Sequence, residues 1–371
     1  VYMRVLMTGG GTAGHVNPAI AIANTIKKYE PDSEIAFVCS SMPNDAATDL
    51  VHRAGYDKLY RVDICGSYKI WNPKNIKTMY YLMKSAGQAK RIVEEFKPDI
   101  IIGTGGFACF PVLNAGVKKK ICTVVHESNA IPGKAVKKLA PEVSCVMVNF
   151  EQTLKLLPNA GNIVRVGNPV IESVSEVQSA QRRTEKSKFA RTVLSFGGSR
   201  GAEYLNIAVA DMLSEIADKY PDTMFLHAAG KRDYEHMKSY FADKKLDKKD
   251  NVVLKDYIYD MNDKMKEADI VISRAGAMTL SELALYGKAA VIVPSPNVAA
   301  NHQYKNAYAL SSAGAACLVQ EKEFGSGRLK STVEELLNDK VKRDRLSNAI
   351  KKFAAPDANK VIYDKIKELL R

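Results

Sequence analysis

A chain of 371 residues, 46% hydrophobic and 26% charged, has the composition of a soluble globular protein of about two domains. That excludes a disordered or fibrous chain. Its formal charge of +13 is uneven, with 21 Lys/Arg against 13 Asp/Glu in residues 1–165, and such an excess favours anionic partners: phosphates, nucleic acid or an acidic membrane surface.

In chain order, "RVLMTG" reads as a strand and "NPAIAIANTIKKY" as a helix. "EIAFVCS" is a second strand, and "NIKTMYYLMKSAGQAKRIVEEF" a long helix. "DIIIGTG" is a buried strand; "KICTVVHES" is another, followed by the short helix "GKAVKKLA". "VSCVMVN" and "NIVRVGNP" close the first series. Residues 171–190 are polar and aperiodic and read as a linker. The alternation then restarts with "RTVLSFGG", the helix "GAEYLNIAVADMLSEIADKY", and the strands "TMFLHAAG" and "NVVLKDYI". The helix "MNDKMKEA", the strand "DIVISRAG", the helix "MTLSELALYG" and the strand "AAVIVPS" come next, and then helices follow, ending in "ANKVIYDKIKELLR". Apolar strands alternating with helices imply parallel sheets covered on both faces. The fold class is therefore α/β, with two doubly wound, Rossmann-like domains facing a cleft.

The six cysteines, Cys39, Cys65, Cys109, Cys122, Cys145 and Cys317, show no CxxC or zinc-type spacing, which fits a reducing cytosol. No signal peptide is expected, because the first apolar run leads into a glycine loop. The uncharged run Ile100 to Val117 contains Gly103, Gly105, Gly106, Pro111 and Gly116, so it reads as strand, loop and helix start rather than a membrane span.

The glycine loops carry the chemistry. Gly9-Gly10-Gly11-Thr12-Ala13-Gly14 fits the dinucleotide spacing between a strand and a helix. A nicotinamide site also needs an acid at the end of the second strand, where this chain has Cys39, Ser40 and Ser41. NAD is therefore not expected. His15 follows the last glycine and is either a general base or a locally satisfied structural histidine. As a base it would be kept neutral by the helix N-terminus. "GTGGFACFP" is either a second close-approach loop or an ordinary strand–helix turn, and "HESNAIPG" places His126, Glu127, Ser128 and Asn129 at a strand's carboxyl end. In the second half, "SFGGSRGAEYLN" suits a pyrophosphate at a helix N-terminus and is not a P-loop, lacking Gly-Lys-Ser/Thr. After Ser273-Arg274, Glu282 is either an acceptor for two ribose hydroxyls or a solvated helix charge.

"GGGTAGHVNPAIAIA", "GTGGFACFP", "HESNAIPG", "GNPV", "SFGGSRGAEYLN", "SRAGAMTLSELALYGKAAVIVPSPN" and "NHQYKNAYAL" occur in order over nearly the whole chain. Together they resemble the motif series of the MurG family, the UDP-N-acetylglucosamine:lipid I N-acetylglucosaminyltransferases of peptidoglycan synthesis. The resemblance implies a GT-B fold, with an N-terminal acceptor and membrane-facing domain over 1–165 and a UDP-sugar domain over 166–354. It also implies that a C-terminal helix at about 355–371 packs back on the first domain. It implies an inverting hexosyltransferase with no cofactor and no catalytic metal. Donor binding falls to Thr12, Ala13, Gly14, Asn129, Gly198, Ser199, Ile258, Ala277, Met278, Thr279, Glu282 and Gln303. Within that set, Glu282 would bind ribose, the Ile258 backbone uracil, Ser199 and its neighbouring N–H groups the pyrophosphate, and Gln303 the GlcNAc hydroxyls. His15 is the expected base with Glu127 nearby, and Gly105, Gly106 and Phe107 form the acceptor pyrophosphate loop. Domain closure would align the two substrates and exclude water.

The implied partners are UDP-GlcNAc, lipid I, the anionic inner face of the cytoplasmic membrane and cell-wall synthesis proteins, with a peripheral location at that face. "GSYKIWNPKNIKTMYYLMKSAG" mixes Trp71, Ile76, Met79, Tyr80, Tyr81 and Met83 with Lys69, Lys74, Lys77 and Lys84, either a membrane-facing surface or a core helix with snorkelling lysines. The dispersed basic residues match no nucleic-acid module. The chain departs from the family at Ser41, Asp45 and Ala47, where two glycines and a glutamate are usual, and at Ile171, where an arginine is usual. Two alternatives follow: a UDP-sugar transferase with another lipid or soluble acceptor, and a non-catalytic UDP-sugar-binding paralogue.

Overall fold

The computed structural model describes residues 2–10, 13–41, 47–64, 75–170, 189–198, 202–298 and 301–371. Thr12, Asp45, Lys69, Trp71, Lys74, Ile171, Ser199 and nearly all of the polar segment after Val170 lie outside the described residues. The chain divides into two compact units, Val1–Ser173 with Ala355–Arg371, and Val174–Ala354.

The first unit holds strands β1 (Arg4–Thr8), β2 (Glu34–Ser40), β3 (Leu59–Val62), β4 (Ile100–Gly103), β5 (Cys122–Glu127), β6 (Cys145–Val148) and β7 (Ile163–Arg165). They form a parallel seven-stranded sheet in the order β3-β2-β1-β4-β5-β6-β7. Its helices are α1 (Ala13–Tyr29), α2 (Ala47–Arg53), α3 (Asn75–Phe96), α4 (Cys109–Lys118), α5 (Lys134–Leu139) and α6 (Glu151–Lys155). Successive strand residues point to opposite faces, and both faces are covered, so the strands are apolar at every step. Val5, Met7, Phe37, Ile100 and Ile102 pack against Ile22 and Ile26 of α1 and Val51 of α2. Leu6, Val38, Ile101 and Val125 pack against Val93 and Phe96 of α3 and Leu113 of α4.

The helix Ala358–Leu369 completes the first face, burying Ile362 and Ile366 in the α1 cluster. Polar bonds set its position. Glu30 accepts from Lys367 Nζ at 2.7 Å and Tyr363 Oη at 2.9 Å, and these donors, the lysine first, hold its carboxyl down at about 2. The Asn359 amide donates to the Val170 carbonyl at 2.8 Å and accepts from the Val170 N–H at 3.1 Å. Ile366→Ala is therefore expected to destabilise the first unit by about 2–5 kcal/mol, the range for deleting a buried aliphatic side chain. Denaturant unfolding checks this; an unchanged midpoint would mean that the helix is not part of the core.

The second unit repeats the plan with β8 (Arg191–Phe196), β9 (Thr223–Ala228), β10 (Val252–Lys255), β11 (Ile270–Ser273), β12 (Ala289–Ile292) and β13 (Cys317–Leu318). Its sheet order is β10-β9-β8-β11-β12-β13, again parallel. The helices are α7 (Glu203–Ile216), α8 (Tyr234–Asp243), α9 (Met261–Glu267), α10 (Ala277–Tyr286), α11 (His302–Ser311), α12 (Arg328–Asn338) and α13 (Lys340–Ile350).

Five elements were absent from the sequence reading: α2, β3, α6, α8 and β13. β3 is an edge strand with only Val62 buried, and β13 is a two-residue edge strand, so neither has a run of apolar residues. α8 buries only Met237 and Phe241. In both sheets the first strand lies inside, β1 between β2 and β4, and β8 between β9 and β11. The chain first winds to one side and then crosses to the other. The connections leaving those strand pairs diverge, opening a crevice at their carboxyl ends where doubly wound sheets take ligands.

Candidate active site

In the first unit the crevice lies between the loops after β1 and β4. Thr104 joins them. Its N–H donates to the Thr8 carbonyl at 2.9 Å, and its hydroxyl donates to the His15 carbonyl at 2.6 Å. The His15 ring returns the contact, with Nδ1 3.1 Å from the Thr104 carbonyl oxygen. A carbonyl oxygen only accepts, so Nδ1 carries the hydrogen. In the neutral ring Nε2 therefore holds the basic lone pair.

The glycines allow this approach. Gly105 has φ +99°, and a Cβ there would stand 2.7 Å from His15 Nδ1. Gly106 has φ +83°, and a Cβ would stand 2.1 Å from the Gly10 carbonyl oxygen. Phe107 is exposed beside them. Gly14 is exposed in the first turn of α1, and Pro18 removes the donor that would close its helical bond. Sequence reasoning passed over Thr104; the only signal was its place between Gly103 and Gly105.

The loop after β5 is organised by Glu127. Its Oε1 accepts from the Asn129 N–H at 2.9 Å and from Asn129 Nδ2 at 3.0 Å, and its Oε2 accepts from the Gly133 N–H at 2.7 Å. Both oxygens are thus engaged within the loop. His126 is fully buried, with Nε2 2.8 Å from the Gly167 carbonyl oxygen, and burial pushes its pKa down to about 4. It is a neutral structural residue.

In the second unit the crevice receives two helix starts. Gly198 has φ +96°, and a Cβ on Gly197 would stand 2.4 Å from that of Ala202. α7 begins after Ala202 with no side-chain cap. α10 begins after Gly276, also uncapped, with Ala277, Met278 and Thr279 in its first turn. A helix start without a side-chain cap, together with the helix dipole, favours an anion. One turn further along α10, Glu282 is partly buried, and desolvation pushes its carboxyl up to about 7. No hydrogen bond or ion pair reaches it among the described residues.

Gln303, near the start of α11, accepts from the Ser295 N–H through Oε1 at 2.8 Å, which orients its Nε2 donor. Ile258 is 5% exposed and anchors the loop after β10 between the exposed Tyr257 and Tyr259. Elsewhere in the unit, His227 is buried against Ser195 Oγ at 2.8 Å, and burial pushes its pKa down to about 4.

Known proteins give this arrangement its family. The glycosyltransferase family 28 N-terminal domain matches residues 5–148, and the family's C-terminal domain matches residues 192–362. A UDP-N-acetylglucosamine–N-acetylmuramyl-(pentapeptide) pyrophosphoryl-undecaprenol N-acetylglucosamine transferase from Caldanaerobacter subterraneus is 37% identical over 378 residues, covering 99% of this chain and 100% of its own. One of the same name from Acetivibrio thermocellus is 34% identical, covering 100% and 99%. The chain belongs to this transferase family, the MurG type. The crystal structure of Acinetobacter baumannii MurG superposes with a TM-score of 0.77 at 25% identity, covering 99% of each chain. The two Rossmann-like halves are those of a GT-B MurG-type enzyme, a UDP-GlcNAc-dependent hexosyltransferase. Among the described residues, no helix of this MurG-type chain is long and apolar enough to cross a membrane.

Proposed function

We propose that this enzyme transfers GlcNAc from UDP-GlcNAc to the 4-hydroxyl of MurNAc in lipid I, with inversion, giving lipid II for peptidoglycan synthesis. The observation that carries the reading is identity along the whole chain to transferases of that name, through both halves.

His15 Nε2 takes the proton of the acceptor hydroxyl as that oxygen attacks C1 of GlcNAc opposite the leaving UDP. The transition state is oxocarbenium-like, and negative charge grows on the departing diphosphate. N–H groups at Gly198 and the starts of α7 and α10 meet that charge already oriented, and Ser199 is assigned to the same role by its motif. Glu282 accepts from the ribose hydroxyls, Ile258 presents its backbone to uracil, and Gln303 donates to a GlcNAc hydroxyl. Thr12, Ala13, Gly14 and Asn129 complete the donor's surroundings. Glu127 serves as a positioning residue that fixes Asn129 and Gly133. Gly105, Gly106 and Phe107 face the acceptor's pyrophosphate. No metal or cofactor takes part in this scheme.

The enzyme works at the cytoplasmic face of the membrane, where lipid I lies. Tyr80 and Met83 of α3 and Phe107 are exposed apolar groups, and Lys134, Lys137 and Lys138 of α5 supply charge in the same unit. Lys84 is engaged otherwise, paired with Asp63 at 2.8 Å.

The test is a transfer assay with labelled UDP-GlcNAc and a lipid I analogue, with the anomer read by NMR. The expected product is the β-linked disaccharide lipid. Transfer only to other acceptors would point to a different lipid or soluble substrate, and donor binding without turnover to a non-catalytic paralogue.

A further inference from the structure

The turn from β11 into α10, Arg274-Ala275-Gly276, lies at the switch point of the second sheet and delivers the uncapped start of α10. Side chains from outside the turn hold it in place. The Asn306 amide donates to the Ala275 carbonyl at 3.3 Å. The guanidinium of Arg274 folds back, with Nη1 donating to the Val293 carbonyl at 3.3 Å and Nη2 donating to Glu321 Oε1. Both charged side chains are largely buried, Arg274 12% exposed and Glu321 16%. Glu321 stands on firm ground. It opens the 3-10 segment Glu321–Ser326, which is closed by a capping box in which the Gln320 N–H donates to Glu323 at 2.7 Å.

A buried ion pair adds little net stability over a well-packed apolar pair, because desolvation offsets the attraction. What it adds is direction. The planar guanidinium is held at two points, by a carbonyl and a carboxylate, and so tethers the turn at Arg274 to Val293 and to Glu321. That backbone leads within two residues to the helix start at the crevice. Glu321 lies 47 residues further along the chain, outside every glycine-loop motif.

We propose that Glu321 is a positioning residue for donor binding, acting through Arg274 to hold the turn whose helix start receives the donor's diphosphate. The inference rests on the second unit being the UDP-sugar site. In it Glu321 touches no substrate. It fixes the direction of N–H groups that do.

The experiment uses the full-length protein and its Glu321→Gln, Glu321→Asp and Arg274→Lys variants. UDP is titrated calorimetrically, and KM is measured separately for UDP-GlcNAc and for a lipid I analogue. Glu321→Gln is expected to raise the UDP Kd and the UDP-GlcNAc KM roughly tenfold or more, the scale of a small misplacement in a binding site. The acceptor KM should stay at its wild-type value. Glu321→Asp should recover part of the loss. Arg274→Lys, which keeps the charge but not the two-point hold, should behave like Glu321→Gln. The inference is overturned if the UDP Kd is unchanged in Glu321→Gln, or if only melting temperature and active fraction fall while both KM values hold. If Glu321→Gln does not fold, the Arg274→Lys titration decides the matter by the same criterion. Wild-type protein that fails to bind UDP would overturn the donor-site reading itself.

Discussion

His15→Ala is expected to lower kcat for GlcNAc transfer by roughly 10²-fold or more, the usual contribution of a positioned general base, while UDP affinity stays near wild type. The expectation follows from the hydrogen-bond geometry. Nδ1 donates to the Thr104 carbonyl, so the tautomer with a basic Nε2 is the one the fold selects. Thr104 also holds the His15 backbone through its hydroxyl, and the missing side chain at Gly105 leaves room for the ring. The imidazole is thus fixed in orientation and, when neutral, in its tautomer. Exogenous imidazole should restore part of the alanine variant's turnover, since the vacated space lies at the crevice. Turnover and pH profile unchanged from wild type would remove His15 from the chemistry.

Glu282→Ala is expected to weaken UDP-GlcNAc by about 10- to 100-fold, the loss of two hydrogen bonds to a charged acceptor. Its carboxyl is pushed up to about 7 by burial alone. The sign of the resulting pH dependence is definite. In the free enzyme the folded state keeps this proton where the unfolded chain has lost it. The associated stability is fully present below the ordinary carboxylate range and is lost as pH rises through about 7. Donor binding reverses the balance, because ribose hydroxyls donate best to the ionised form. UDP affinity should therefore rise as pH increases through 7 and then level off, with protons released on binding below that point. Calorimetry in buffers of different ionisation enthalpy measures both. A slope that persists in Glu282→Gln would assign the titration to another group.

Much of the site was legible because it is built from local signals. Glycine clusters between a strand and a helix stand out in a sequence, and at Gly105 and Gly106 the structure shows a positive φ and a close approach to His15 and Gly10. Glu282 was visible as a carboxylate on the helix after a tight turn, but not its desolvation, which depends on what packs around it. Glu127 was placed near the base by the family resemblance alone; its position at a strand's carboxyl end pointed only to a binding site. The structure shows its oxygens bound to Asn129 and Gly133, contacts that follow from the path of the loop. Thr104 and Glu321 left no mark, since a threonine between glycines and a glutamate in a short 3-10 segment are common.

By itself the sequence determined the alternation of strand and helix, the doubly wound class and the family. These follow from apolar periodicity and from ordered motifs, which are properties of neighbouring residues. Only the tertiary structure decided the strand orders that put β1 beside β4 and β8 beside β11. That adjacency brings Thr104 to His15 across 89 residues of chain and so selects the ring's tautomer. Tertiary packing likewise raises the Glu282 carboxyl by burial and brings Glu321 to Arg274. Each depends on a partner or a dielectric supplied from far along the chain, and no local pattern encodes a distant hydrogen bond.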